Sequence, residues 1–242
     1  MPDFLIFGAI YAASGLLHGV VGFAFAVLAV PLLSMIYSPQ VAVGMTIIVG
    51  PCLMFYNAWL HRQELDFRAL VPLVAVGALF IPVGALFLSR TPEAVTMIVL
   101  GTVVIALTLF TLVSGERTTR ALAAPGVGYG FSALSGFIAG AFTAGGPPIA
   151  AYLYNTDTDR KRAKANVQLF FAVLAIAALI SHIVAGTVTG PRTVAALPYI
   201  PVAFLSIRLG ALIAAKIPLH AFRMVTDIAL VALGLYLIVS HI

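Results

Sequence analysis

The stretch Gly136-Phe-Ile-Ala-Gly140-Ala-Phe-Thr143-Ala-Gly145-Gly146-Pro147-Pro148-Ile-Ala-Ala-Tyr152-Leu-Tyr154 interrupts a long apolar segment with glycine and proline, where a plain membrane helix has no break. Two prolines directly after two glycines end one helix and begin another. A related interruption, Gly15, Gly19 and Gly22 ahead of Pro31, stands in the first half of the chain. Paired interruptions in two halves mark the substrate site of many repeat-built transporters.

Composition identifies the solvent around this stretch. The 242 residues are 62% hydrophobic and 9% charged, with a mean hydropathy of +1.12. Several apolar runs reach the roughly 20 residues that cross a hydrocarbon core about 30 Å thick. The chain reads as an all-α integral membrane protein. Apolar segments lie at 4–36, 40–60, 69–89, 94–114, 122–154, 165–186, 194–215 and 219–240. Six have ordinary spanning length. The segments 4–36 and 122–154 hold 33 residues each, about 50 Å as a straight helix, so each must tilt strongly, break or turn back. Met1-Pro2-Asp3 and the apolar run after it lack the basic start and short core of a cleaved signal peptide, so this end is expected in the mature protein. The single cysteine, Cys52, excludes an intrachain disulfide framework and a multi-cysteine metal site. No metal cluster, nucleotide loop or Ser/His/Asp set emerges, so an enzyme is not expected, nor a cofactor. The formal charge of +5 gathers in short connections between apolar runs, which speaks for membrane topology rather than for a nucleic-acid partner.

The two halves are similar. With a shift of 126, Pro72 meets Pro198, Gly84-Ala85-Leu86 meets Gly210-Ala211-Leu212, Arg90 meets Lys216, Pro92 meets Pro218 and Ser114 meets Ser240. With a shift of 121, Gly15 meets Gly136 and Gly19 meets Gly140. The reading is one unit used twice, at 1–115 and 121–242, forming a single membrane domain. Charge then chooses the topology. Eight single crossings leave Lys and Arg balanced between the two sides. If both long segments are hairpins, Arg62, Arg68, Arg117, Arg120, Arg160, Lys161, Arg162, Lys164 and Lys216 share one face, nine against Arg90 and Arg192 on the other. That bias places the loops 61–68, 115–121 and 155–164 in the cytoplasm and both termini outside. Each half is then a broken or re-entrant helical hairpin followed by three transmembrane helices, and the halves are inverted repeats with a site at the midplane.

The run Gly15-Leu-Leu-His-Gly19-Val-Val-Gly22-Phe-Ala-Phe-Ala-Val-Leu-Ala-Val-Pro31, its counterpart Gly136 to Pro148, Pro72 with Gly84-Ala-Leu, and Gly210-Ala-Leu-Ile-Ala-Ala-Lys-Ile-Pro218 together resemble the duplicated glycine-rich motif of the TauE/SafE sulfite exporter family. The resemblance covers nearly the whole chain. It implies a permease of the cell (inner) membrane for sulfite or small organosulfur anions such as sulfonates, acting in the export direction and driven by a proton or ion gradient.

Physical chemistry assigns the breaks a use. A helix that stops within the membrane leaves N–H groups whose partners must be protein, trapped water or a bound anion. A half-helix N-terminus offers about half a positive charge and converging donors, and glycine lets a ligand approach the backbone. The candidate contacts are Gly19, Gly22 and Phe23 at one tip and Thr143, Ala144, Gly145 and Gly146 at the other, with the Thr143 hydroxyl as an added donor. Gly15, Gly19, Gly136 and Gly140 equally suit close helix packing through small residues. His18 beside the first break either donates to an anion or is satisfied by a backbone carbonyl. Asn57, Asn166 and Gln168 either donate to sulfonyl oxygens or join helices; His182 belongs with the joining reading. Arg208 needs a carboxylate, a water-filled cavity or a substrate. Asp227 is its obvious partner and a candidate proton carrier, with Arg223 competing for it. The run Asp157 to Lys164 reads as a solvated loop. A secondary transporter accounts for the duplication, the charge bias and the breaks together. A passive anion channel is the alternative, using the same helix ends without alternating access. The expected partners are a small anion, the lipid bilayer and a coupling proton or ion, with a second copy in a homodimer as a further option.

Overall fold

The protein is described by a computed structural model covering residues 2–22, 24–60, 62–113, 126–157, 159–188, 190–214 and 219–242. Among these residues all regular structure is helical. The order is α1 (Pro2–Val21), α2 (Phe25–Ser34), α3 (Pro39–Leu60), α4 (Phe67–Arg90), α5 (Glu93–Val113), α6 (Val127–Phe142), α7 (Gly146–Thr156), α8 (Arg160–Val184), α9 (Pro191–Val194), α10 (Ile200–Ala214) and α11 (Leu219–Val239), with 3-10 turns at Arg62–Glu64 and Leu197–Tyr199. Five stretches, Phe4–Val21, Phe67–Arg90, Glu93–Phe110, Lys161–Val184 and Leu197–Ala214, are long and apolar enough to cross a membrane.

Both long apolar segments break and double back. In the first, the Tyr11 and Phe25 rings stack at 5.8 Å, and Phe7 meets Tyr37 at 5.7 Å beyond the end of α2. Only a return of α2 along α1 brings these pairs together. In the second, Ser135 meets Ile149 and Phe131 stacks on Tyr152 at 6.0 Å, so α7 returns along α6. The legs are unequal. With 20 residues α1 is itself of spanning length, whereas the 10 residues of α2 reach about 15 Å, half the core.

Glycine determines which helices touch. A side chain at Gly136 of α6 would meet the backbone of Gly77 in α4, and one at Gly140 would meet Ile81. On the other flank, side chains at Gly15 and Gly19 of α1 would meet the α10 backbone at Ala203 and Ile207, and one at Gly210 would meet Leu16. The packing reading of these glycines is therefore the one the structure displays. Gly101 and Gly234 bring α5 and α11 together in the same way. α3 and α4 each pack on α8, which frames the middle of the molecule.

The helix ends sort into two levels. At one, the Asn166 side chain of α8 accepts from the Asp66 N–H at 3.0 Å, joining the start of α4 to the start of α8. At the other, Gln40 Nε2 at the start of α3 donates to the Leu88 carbonyl near the end of α4 at 3.1 Å. Two sequence expectations change here. The run 157–164 is not simply a loop: Asp159 accepts from the N–H groups of Lys161 and Arg162 and starts α8 at Arg160, so the basic cluster forms a helical first turn. Arg162 also binds Asp157 at 2.8 Å, and this hydrogen bond holds the Asp157 carboxyl below the usual carboxylate range. The segment 194–215 is likewise subdivided, because Pro198 and Pro201 delay the regular helix until Ile200.

Candidate binding cavity between two helix breaks

At the first break the Gly22 N–H closes the last turn of α1 on the His18 carbonyl at 2.6 Å. Gly22 then takes φ +96, a left-handed conformation that lets the chain leave the helix. Phe23 lies outside the described residues. The next helix, α2, begins after Ala24, which offers no side-chain cap. From across the molecule, Gln168 of α8 donates through Nε2 to the Gly22 carbonyl at 2.9 Å, while its buried Oε1 has no hydrogen-bond partner among the described residues.

At the second break α6 ends on Thr143, whose φ of +55 is the one positive value at a non-glycine position among the described residues. Holding a β-branched residue there costs on the order of 1–3 kcal/mol, a strain found mostly at functional sites. Its hydroxyl donates to the neighbouring Phe142 carbonyl at 2.7 Å, so the expected donor is engaged locally. α7 starts on Gly146 after an uncapped Gly145. Pro147 and Pro148 have no N–H, and the Ile149 N–H is taken by Ser135 Oγ at 3.0 Å. Among the described residues nothing accepts a hydrogen bond from the N–H groups of Ala144, Gly145 or Gly146, all three buried. Buried backbone donors almost always find a partner, so these three are open to a ligand.

The two breaks face one cavity of about 70 Å³. Phe25 and Ala26 at the start of α2, Thr143 at the end of α6, and Gly145 and Gly146 at the start of α7 all line it. Thr46, Gly50 and Pro51 of α3 and Phe171, Ala175 and Ala178 of α8 complete it. Its size is on the order of a few water molecules, the class of a small oxyanion or sulfonate headgroup. No charged side chain lines it. Besides the hydroxyls of Thr46 and Thr143, the positive potential available at the site is that of the helix N-termini beside it, each worth roughly half a positive charge.

Of the residues singled out from the sequence, Thr143, Gly145 and Gly146 line this cavity, with Ala144 buried between them. Gly22 and Gln168 meet at the other break, and His18 lies buried one turn before it. Gly19 is placed against α10. Asn166 binds the Asp66 N–H, and Asn57 lies in α3 with its side chain outside the described residues. Arg208 is exposed on α10 and Asp227 half-buried on α11, and neither lines the cavity. Sequence reasoning missed the α3 wall, although Gly50-Pro51 inside the run 40–60 was a visible signal of the same kind as the two breaks. A model of the sulfite exporter TauE/SafE family matches residues 6–237. No curated protein and no solved structure matches the chain.

Proposed function

The chain belongs to the TauE/SafE sulfite exporter family, and from that premise we propose that it is a secondary transporter that exports small sulfur-containing anions, sulfite or organosulfonates, across the cell membrane. The observation that carries this reading is the convergence of two uncapped helix N-termini on one cavity without a charged side chain. An anion there would accept from the free N–H groups of Gly145 and Gly146 and be stabilised by both helix dipoles. A dication or an amine would meet the same dipoles as repulsion.

The pairing of helices supports an inverted repeat of α1–α5 and α6–α11. In it α1 corresponds to α6 and α4 to α10, and the observed contacts of α1 with α10 and of α6 with α4 are each other's counterparts. The bond between Asp66 and Asn166 supports a common face for 61–68 and 155–164, which the positive-inside rule makes cytoplasmic. Gln63→Cys and Lys161→Cys, each in a Cys52→Ala background, are expected to react with an impermeant thiol reagent from the same side of the membrane. Reaction from opposite sides would rule out the hairpin topology, because eight single crossings separate these loops.

Transport itself is tested in proteoliposomes. Labelled methanesulfonate should accumulate transiently against unlabelled anion trapped inside, and uptake should saturate. An ohmic current without counterflow would establish the channel alternative. The proton or ion that couples the cycle is read from the gradient that drives net flux, with Asp227 the first carboxylate to replace. Arg208, exposed on α10, fits the lipid-facing surface or a contact with a second copy better than the cavity.

A further inference from the structure

We propose that His182 and Thr187 form the latch of a gate that separates the binding cavity from an open vestibule, an inference that rests on the transport reading of that cavity. The cavity wall on α8 is the helical stripe Phe171, Ala175 and Ala178. His182 follows one turn, about 5.4 Å, beyond Ala178 on the same face and is fully buried. Its Nδ1 lies 2.8 Å from Thr187 Oγ1. The Gly140 backbone of α6, next to the cavity-lining Ala139, neighbours the imidazole, and the buried Nε2 has no hydrogen-bond partner among the described residues.

Thr187 faces the other way as well. It lines a wide-mouthed recess of about 610 Å³ together with Gln40, Ser89, Gly186 and Thr193. On α3, the position of a Gly44 side chain is filled by the Thr187 carbonyl and by Thr193, and about one turn later on the same face Ile47 lines the cavity. Thr187 thus sits between α3 and α8, on the wall of the recess and about one turn along each helix from residues that line the cavity. The N–H and hydroxyl of Thr187 both donate to the His182 carbonyl at 3.0 Å, which terminates α8. The contact with the imidazole is not needed for that termination. Gly186, at φ +74, makes the left-handed turn by which the chain leaves α8 and reaches Thr187. An anion passing between cavity and recess displaces Thr187 from the ring.

The experiment uses the full chain carrying Cys52→Ala and Ala178→Cys, purified in detergent, and measures its rate of reaction with the anionic reagent 2-sulfonatoethyl methanethiosulfonate. Thr187→Val keeps the shape but removes the hydroxyl, and with it both the contact to the His182 ring and the bond to the His182 carbonyl, so it should speed the reaction by at least about three- to tenfold, the factor a single lost hydrogen bond sets on an opening equilibrium. Thr187→Ser restores the hydroxyl and should return the parent rate. Leu100→Cys, buried in α5, is the control and should not change with the state of position 187. Equal rates in the valine and parent proteins, equal acceleration by serine and valine, or parallel acceleration at Leu100→Cys would each overturn the latch. Methanesulfonate should slow the reaction of Ala178→Cys in the parent. Slowing without a valine effect means that the gate fails and the cavity reading stands; a valine effect without slowing means that the latch holds and the anion assignment fails.

Discussion

Gly146→Val is expected to lower anion transport on the order of 10²-fold while the protein still inserts and runs as a single species after extraction. Gly146 opens α7, is buried, and lines the cavity at the point where the second helix N-terminus faces it. A valine there projects two methyl groups toward the space an anion would fill and covers the N–H that has no acceptor in the protein. The position also precedes Pro147. A residue before proline is disfavoured in the helical region because its Cβ crowds the proline ring, and glycine has no Cβ. Valine therefore re-aims the first turn of α7 as well as filling its mouth. Gly146→Ala separates the two effects: it adds one methyl and should leave measurable transport with weakened affinity. Normal affinity and turnover in the valine variant would show that the second break is only a packing feature.

Gly136→Val is expected to act on folding instead. Its side chain would meet the carbonyl, carbonyl carbon and Cα of Gly77, all backbone atoms of α4 that no rotamer change can move aside. Separating α6 from α4 costs about 3 kcal/mol or more, the upper range for overpacking a close contact and a large part of the 5–15 kcal/mol by which proteins are stable. The measurement is the fraction of monodisperse protein recovered from the membrane. Gly130→Val, on the same helix but with open space around it, should be recovered like the parent. Full recovery of the Gly136 variant with an intact melting transition would mean that the α4 and α6 backbones do not rely on this approach.

These two glycines lie ten residues apart on a motif that looks uniform in sequence, and one belongs to packing and the other to the cavity. The breaks themselves were legible, because Gly-Gly-Pro-Pro inside an apolar run has few other uses. So was the doubling back, from segments too long for one crossing and a charge bias that needed hairpins. Which face of a helix a residue occupies was not legible: in an apolar solvent both faces of a helix are hydrophobic, so the periodicity that orients helices in water is weak. That is why Gly19 read both as a ligand contact and as a packing residue, and sits against α10, and why Arg208 read both as a candidate ligand and as an ion-pair or snorkelling residue, and lies exposed. The prolines misled in a second way. They announced a helix start correctly, yet they also remove two of the donors that make a helix start attractive to an anion, and Ser135 takes a third. What remains for a ligand is the short backbone run 144–146, narrower than the tip the sequence suggested.

The contact of α1 with α10 has a consequence for how the protein is made. The glycine edge of α1 is complementary to a helix that emerges from the ribosome about 180 residues later, roughly ten to forty seconds at ~5–20 residues per second. α4 meets α6 much sooner. During that interval α1 resides in the bilayer with its small-residue groove filled by lipid or by an insertion chaperone, and α10 must displace that occupant to complete the molecule. Premature termination anywhere before α10 therefore leaves an inserted fragment whose first helix is permanently without its mate, a ready substrate for membrane quality control.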